Sequence, residues 1–193
     1  MPKAIEGAHD AILAAARRLL AKVGYDKLNM RAIATESGIG TGTVYNYYRA
    51  KDEIVFALMK GDWQDALRSM DSALAGSPGR AKRLRAIFDR LHEFSSKYAM
   101  VWRLMAVAPA EGKSPSIKNY STATFVAEIT VRIKALLEEN AETKDAAGLA
   151  DLIAKVFSLF SMERTPDHAA IDLMLNRLLG PETDQNNSPT IPI

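Results

Sequence analysis

The sequence predicts an all-α protein, with a short three-helix domain at the amino end followed by a larger helical bundle. Three observations carry this. Apolar residues recur at helical spacing along nearly the whole chain, no stretch alternates in the manner of a half-buried strand, and the periodic stretches are separated by glycine and proline. The expected organisation is a short three-helix domain over residues 1–50, a larger helical bundle over 51–180, and a polar, proline-rich tail over 181–193.

The elements follow in order. Ile12, Leu13, Ala16, Leu19, Leu20 and Val23 form the stripe of a core-facing helix over about 6–23, and Gly24 is placed to stop it. Asn29 is a suitable N-cap for a short helix from Met30 to Ser37. Gly38 ends that helix, Ile39 and Gly40 form a turn, and Thr41 to Tyr47 or Tyr48 makes a third. A long helix follows from Lys51 to about Leu74, with Ile54, Val55, Leu58, Trp63, Leu67 and Met70 on its buried side and Asp52 and Glu53 at the positive end of its dipole. GSPG at 76–79 is the clearest break. Further helices are expected at about 80–98, 100–108, 115–139, 144–163 and 167–179.

Composition bounds the function. Of 193 residues, 48% are apolar and 25% charged, which suits a globular chain with a full core. The absence of cysteine excludes disulfides and thiolate metal sites and fits a reducing cytoplasm. His9, His92 and His168 are too far apart in sequence to form a helical metal pair, so no metal or cofactor is expected. No apolar run is long enough for a membrane helix. Residues 1–54 hold 8 Lys+Arg against 6 Asp+Glu while the remainder holds 17 of each, so the excess positive charge sits at the amino end. That distribution hints at an anionic partner there.

The stretch IATESGIGTGTVYNYYRAKDEI, residues 33–54, interrupts the helical pattern. It places glycines at 38, 40 and 42 and three of the chain's six tyrosines at 45, 47 and 48. Two short helices joined by a glycine turn and packed on a preceding helix make a helix-turn-helix, whose second helix enters the DNA major groove. Gly38 supplies positive φ between the helices, and Ile39 fills their crossing. Gly42 lets backbone approach the duplex. Thr43, Tyr45 and Tyr47 offer hydroxyls to phosphate oxygens, and Lys51 adds a charge. Val44 and Tyr48 face inward. The alternative, in which the tyrosines merely pack at a helix end, explains any one of them but not the whole spacing.

Taken together, Ala14 to Gly24, Ile33-Ala34, Gly38-Ile39, Gly42-Thr43-Val44-Tyr45, Tyr47-Tyr48 and Lys51 resemble the DNA-binding domain of the TetR family of bacterial transcriptional regulators, over about residues 8–55. The resemblance implies that Thr43, Tyr47 and Lys51 bind phosphate and that Tyr45 meets phosphate or a thymine methyl. Thr41, Gly42 and Asn46 would be the exposed recognition positions, with Arg31 near the groove edge. Gly40, Tyr48 and Ala50 depart from the family pattern. The first and last remove side-chain caps worth roughly 1 kcal/mol each. With few long base-reading side chains on the recognition helix, DNA shape is expected to matter.

The resemblance also implies a carboxy-terminal bundle that binds a small, largely apolar or aromatic effector and forms a homodimer. Candidate pocket residues are Trp63, Phe88, His92, Tyr98, Trp102, Met105, Tyr120 and Phe125, although aromatic and Met residues at helical spacing are more often core. The expected dimer contact is the last two helices, through Leu149, Leu152, Ile153, Val156, Phe157 and Phe160 with Ile171, Leu175, Leu178 and Leu179. A dimer would set two recognition helices roughly 34 Å apart on a palindromic operator. The implied regulator is a repressor released by its effector. A helical small-molecule carrier that does not bind DNA is the competing class. No enzyme motif supports catalysis: there is no GxSxG or HExxH, and EGKS at 111–114 lacks the leading glycine of a phosphate loop because Val stands at 107.

Overall fold

A computed structural model describes residues 7–76, 79–99, 101–102, 122–139, 143 and 145–179. The helix expected at 100–108 lies largely outside them. Residues 115–121, Met105, Tyr120 and the 181–193 tail lie wholly outside. The described residues form eight helices and no strand: α1 (Ala8–Lys27), α2 (Met30–Ser37), α3 (Thr41–Tyr47), α4 (Lys51–Gly76), α5 (Arg80–Lys97), α6 (Thr122–Glu138), α7 (Ala146–Phe160) and α8 (His168–Leu179). The protein is all-α. No helix among the described residues is long and apolar enough to cross a membrane.

The chain divides into two compact units, Met1–Ala66 with Lys97–Thr124, and Leu67–Ser96 with Phe125–Ile193. In the first, α1 packs on α2 and α2 on α3. Its core is Ile12, Ala15 and Ala16 of α1, Ile33 and Ala34 of α2, Val44 of α3, and Ile54, Val55, Leu58, Met59 and Trp63 of α4. Helix α1 departs from its expected end. Gly24 does interrupt it, with φ 75° and ψ 171°, but a further turn carries the element to Lys27. Val23, placed by periodicity on the buried stripe, is exposed, because the helix outruns the core before it stops.

The polar centre of this unit is Asp62, on α4. Its carboxylate is only 10% exposed and accepts from three groups: the Arg17 guanidinium of α1 at 2.5 and 2.9 Å, the Tyr98 hydroxyl at 2.8 Å, and the Lys97 ammonium. Burial pushes the carboxyl's pKa up, but the hydrogen bonds from Arg17, Lys97 and Tyr98 outweigh it and hold the group at about 2. The Tyr98 hydroxyl is shifted upward by burial and by the same carboxylate.

The second unit buries Leu84, Ile87, Phe88, Leu91 and Phe94 of α5, Phe125, Ile129, Ile133, Leu136 and Leu137 of α6, Ile153 and Phe157 of α7, and Ile171 and Leu175 of α8. Phe88 meets Phe157 edge-on at 5.3 Å between ring centroids. Burying Ile153, Phe157, Ile171 and Leu175 corrects the expected dimer stripe, since these four serve their own unit's core. Leu152 and Leu159 on α7, Met162 after it, and Leu173 and Leu178 on α8 stay exposed, five of the eight exposed large apolar residues among those described. Helix α7 is therefore apolar on two sides.

Candidate nucleic-acid interface

The recognition segment is built by local chemistry. The Asn29 side chain accepts the Ala32 N–H at 2.9 Å and starts α2. Gly38 ends it in the left-handed conformation, φ 70° and ψ 17°, while the Ile39 N–H reaches back to the Ala34 carbonyl at 3.1 Å. That pattern closes the last turn and sends the chain sharply into α3. Gly40 caps α3 without a side-chain bond, as its identity implies. At the start of α4, where Ala50 offers no side-chain cap, Glu53 reaches back to accept the Arg49 N–H at 2.8 Å and ties down the chain entering the helix.

Burial then sorts the residues of α3. Val44 is fully buried and Tyr48, at the helix end, nearly so, which fixes the opposite face outward. Thr41, Gly42, Tyr45 and Asn46 are exposed, Thr43 and Tyr47 are half-buried, and Arg31 on α2 is exposed. Nothing lies within 4 Å of where a Cβ on Gly42 would sit, so the protein's own packing does not require glycine there. Ile39 is half-buried rather than enclosed in the helix crossing. The Tyr48 hydroxyl is buried without a hydrogen-bond partner, and burial, followed by the charges of Asp10 and Glu53, pushes its pKa up to about 12.

Lys51 is placed differently from a free surface lysine. Its ammonium donates to the Tyr25 carbonyl at 3.0 Å and lies 4.3 Å from the centroid of the Tyr25 ring. The Tyr25 hydroxyl in turn donates to Asp52. Burial, then this bond, raises the Tyr25 pKa. Sequence reasoning missed Tyr25. The available signal was an aromatic directly after the glycine that breaks α1.

The pocket candidates do not gather in one unit. Trp63 and Tyr98 are buried and Trp102 half-buried in the first; Phe88, His92 and Phe125 belong to the second. Phe125 packs on Phe94 at 5.9 Å between centroids. His92 stacks on Phe88 and donates through Nδ1 to the Ser161 carbonyl at 2.9 Å, the geometry of a satisfied histidine. A groove of about 470 Å³ does run along α5 and α8, lined by Lys82, Arg85, Asp89, Asp172, Leu175 and Asn176 with Ala81 and Ala86. It includes none of the candidates.

Comparison with known proteins places the helix-turn-helix. Residues 12–58 match the model of the bacterial regulatory proteins of the tetR family. Over those residues the chain matches the amino-terminal segment of the TetR family. Among its relatives, the helix-turn-helix transcriptional regulator HbdR of Aromatoleum sp. is 28% identical over 133 residues, covering 69% of this chain and 52% of that protein. A helix-turn-helix transcriptional repressor of Mycobacterium tuberculosis is 39% identical over 51 residues, 26% of this chain and 27% of that one. The chain thus spans about half the length of HbdR, and a shorter share of the second relative. Solved structures share the fold over most of the chain. A transcriptional regulator from Rhodococcus sp. Rha1 superposes with TM-score 0.66 at 21% identity, covering 89% of this chain and 95% of that one. FadR from Bacillus subtilis, in complex with stearoyl-CoA, gives 0.60 at 17%, covering 89% and 97%.

Proposed function

We propose that this protein is a sequence-specific DNA-binding transcriptional regulator that acts as a homodimer on a palindromic operator. The observation that carries the reading is the sorting of α3. Val44 and Tyr48 anchor the helix, while Thr41, Gly42, Tyr45 and Asn46 face out. Thr43, Tyr47 and Lys51 flank that face as phosphate ligands, with Arg31 at its edge. The short side chains at 41, 42 and 46 favour recognition through groove shape as much as through base edges.

The outward face of α7 and α8 supports dimerisation, because a two-sided apolar helix on a lone subunit leaves Leu152 and Leu159 in water. Repression relieved by a small, largely apolar effector is the regulatory form we infer. A relative named as a repressor and a fold neighbour holding an acyl-CoA support it.

Selection of bound sites from a random duplex pool tests the function directly. The expected product is an inverted repeat with half-sites one helical turn apart. No enrichment at low ionic strength would overturn the reading. With the selected duplex, Lys51→Ala should weaken binding evenly across sequences and flatten the slope of log K against log salt by about one unit.

A further inference from the structure

We propose that Tyr25 is a positioning residue for DNA binding: its ring and carbonyl hold the Lys51 ammonium in place before a phosphate arrives. The inference rests on the reading of Lys51 as a phosphate ligand and deepens it. Four observations around one residue converge. Gly24, with φ 75° and ψ 171°, breaks α1 and turns the chain just ahead of Tyr25. The Tyr25 carbonyl, which also accepts the Leu28 N–H at 3.2 Å, takes the Lys51 ammonium at 3.0 Å. The same ammonium sits 4.3 Å from the ring centroid. The Tyr25 hydroxyl is tied to Asp52, the neighbour of Lys51 on the first turn of α4, so the ring is held at its far end as well.

The physical consequence is pre-organisation. A free lysine loses rotamer freedom when it is fixed on a phosphate, a cost equivalent to about two- to tenfold in affinity for such a side chain. Lys51 has already lost that freedom to Tyr25. An ammonium has three N–H donors, and the carbonyl uses one. Two remain for a phosphate oxygen on the side away from the ring. Lys51 is the first residue of α4, four positions past the last residue of α3. Its fixed ammonium thus adjoins the end of the recognition helix, where a backbone contact sets register.

The test is a double-mutant cycle on the selected duplex, comparing Tyr25→Leu in the wild-type and Lys51→Ala backgrounds. Tyr25→Leu should cost about three- to tenfold in affinity when Lys51 is present and less than twofold when it is absent. The salt slope should stay at the wild-type value in Tyr25→Leu, because the lysine still reaches its phosphate, and flatten only with Lys51→Ala. If Tyr25→Leu does not fold, Tyr25→Phe, which keeps the ring and frees it from Asp52, takes its place. It should lose two- to threefold with Lys51 present and nothing without it. An equal loss in both backgrounds would make Tyr25 a packing residue only and overturn the inference. A Lys51→Ala variant with unchanged affinity and slope would instead remove the phosphate reading beneath it.

Discussion

Replacing Asp62 by Asn should destabilise the fold by about 2–3 kcal/mol at neutral pH, with a pH dependence that identifies the cause. The carboxyl titrates at about 2 in the folded chain against an ordinary 3.8. Each pKa unit corresponds to about 1.4 kcal/mol, so the ionised group contributes about 2 kcal/mol. The sign follows from a folded value below the unfolded one. The contribution is complete above about pH 4 and disappears as pH falls through 2. An amide keeps one acceptor oxygen but turns N–H donors toward a site already holding donors. Arg17 and Lys97 are 46% and 49% exposed and can recover water, whereas Tyr98 is buried and cannot. That asymmetry keeps the loss near the lower end for a broken charged network. Urea unfolding followed by circular dichroism at pH 7 and pH 3 measures it. The wild-type advantage should shrink by about half at the lower pH. A difference below 0.5 kcal/mol at pH 7, or one that is the same at both pH values, would refute the argument that the three donors stabilise the charge.

Three other outcomes follow from named contacts. Tyr48→Phe should raise stability by about 1 kcal/mol, because it removes a buried hydroxyl that has no partner; a lower urea midpoint would show that the hydroxyl is bonded after all. Leu159→Glu, at a residue 69% exposed, should yield a monomer of unchanged helicity in analytical ultracentrifugation, and a persistent dimer would move the interface off α7. Gly148→Ala should be nearly neutral although alanine favours helix by about 1 kcal/mol, because its Cβ would lie 2.3 Å from Asp145 Oδ2 and displace the cap that accepts the Gly148 N–H at 2.9 Å. Measured in an Asp145→Ala background, the same change should stabilise by about that full amount.

What was legible in the sequence depended on the range of the forces involved. Helix α2 was bounded to the residue, and α3 at its start and to within one residue at its end, because Asn29, Gly38 and Gly40 act on their immediate neighbours, and such signals survive in a linear reading. Ile54, Val55, Leu58, Trp63, Leu67 and Met70 were all assigned to the buried side of α4 and all are buried. The Asp62 network was not anticipated, since Arg17 and Lys97 approach it from 45 and 35 positions away. A trace of it was nonetheless present. Asp62 follows Val55, Leu58 and Met59 at helical spacing, and an acid on a core stripe calls for donors. The dimer stripe blurred for a related reason. Helix α7 is apolar on two faces, and a single period cannot say which face a subunit keeps for itself. The pocket candidates were chosen by residue type, which does not distinguish a cavity wall from the core.

The two-sided character of α7 has a thermodynamic consequence for the protein in solution. If the proposed dimer buries Leu152 and Leu159, association stabilises the folded chain and the population of native molecules follows mass action. Dilution should lower the melting temperature, and a strain making few copies would hold a smaller native fraction than one making many. Under the proposed function, abundance itself would then set how much of the protein is competent to bind its operator.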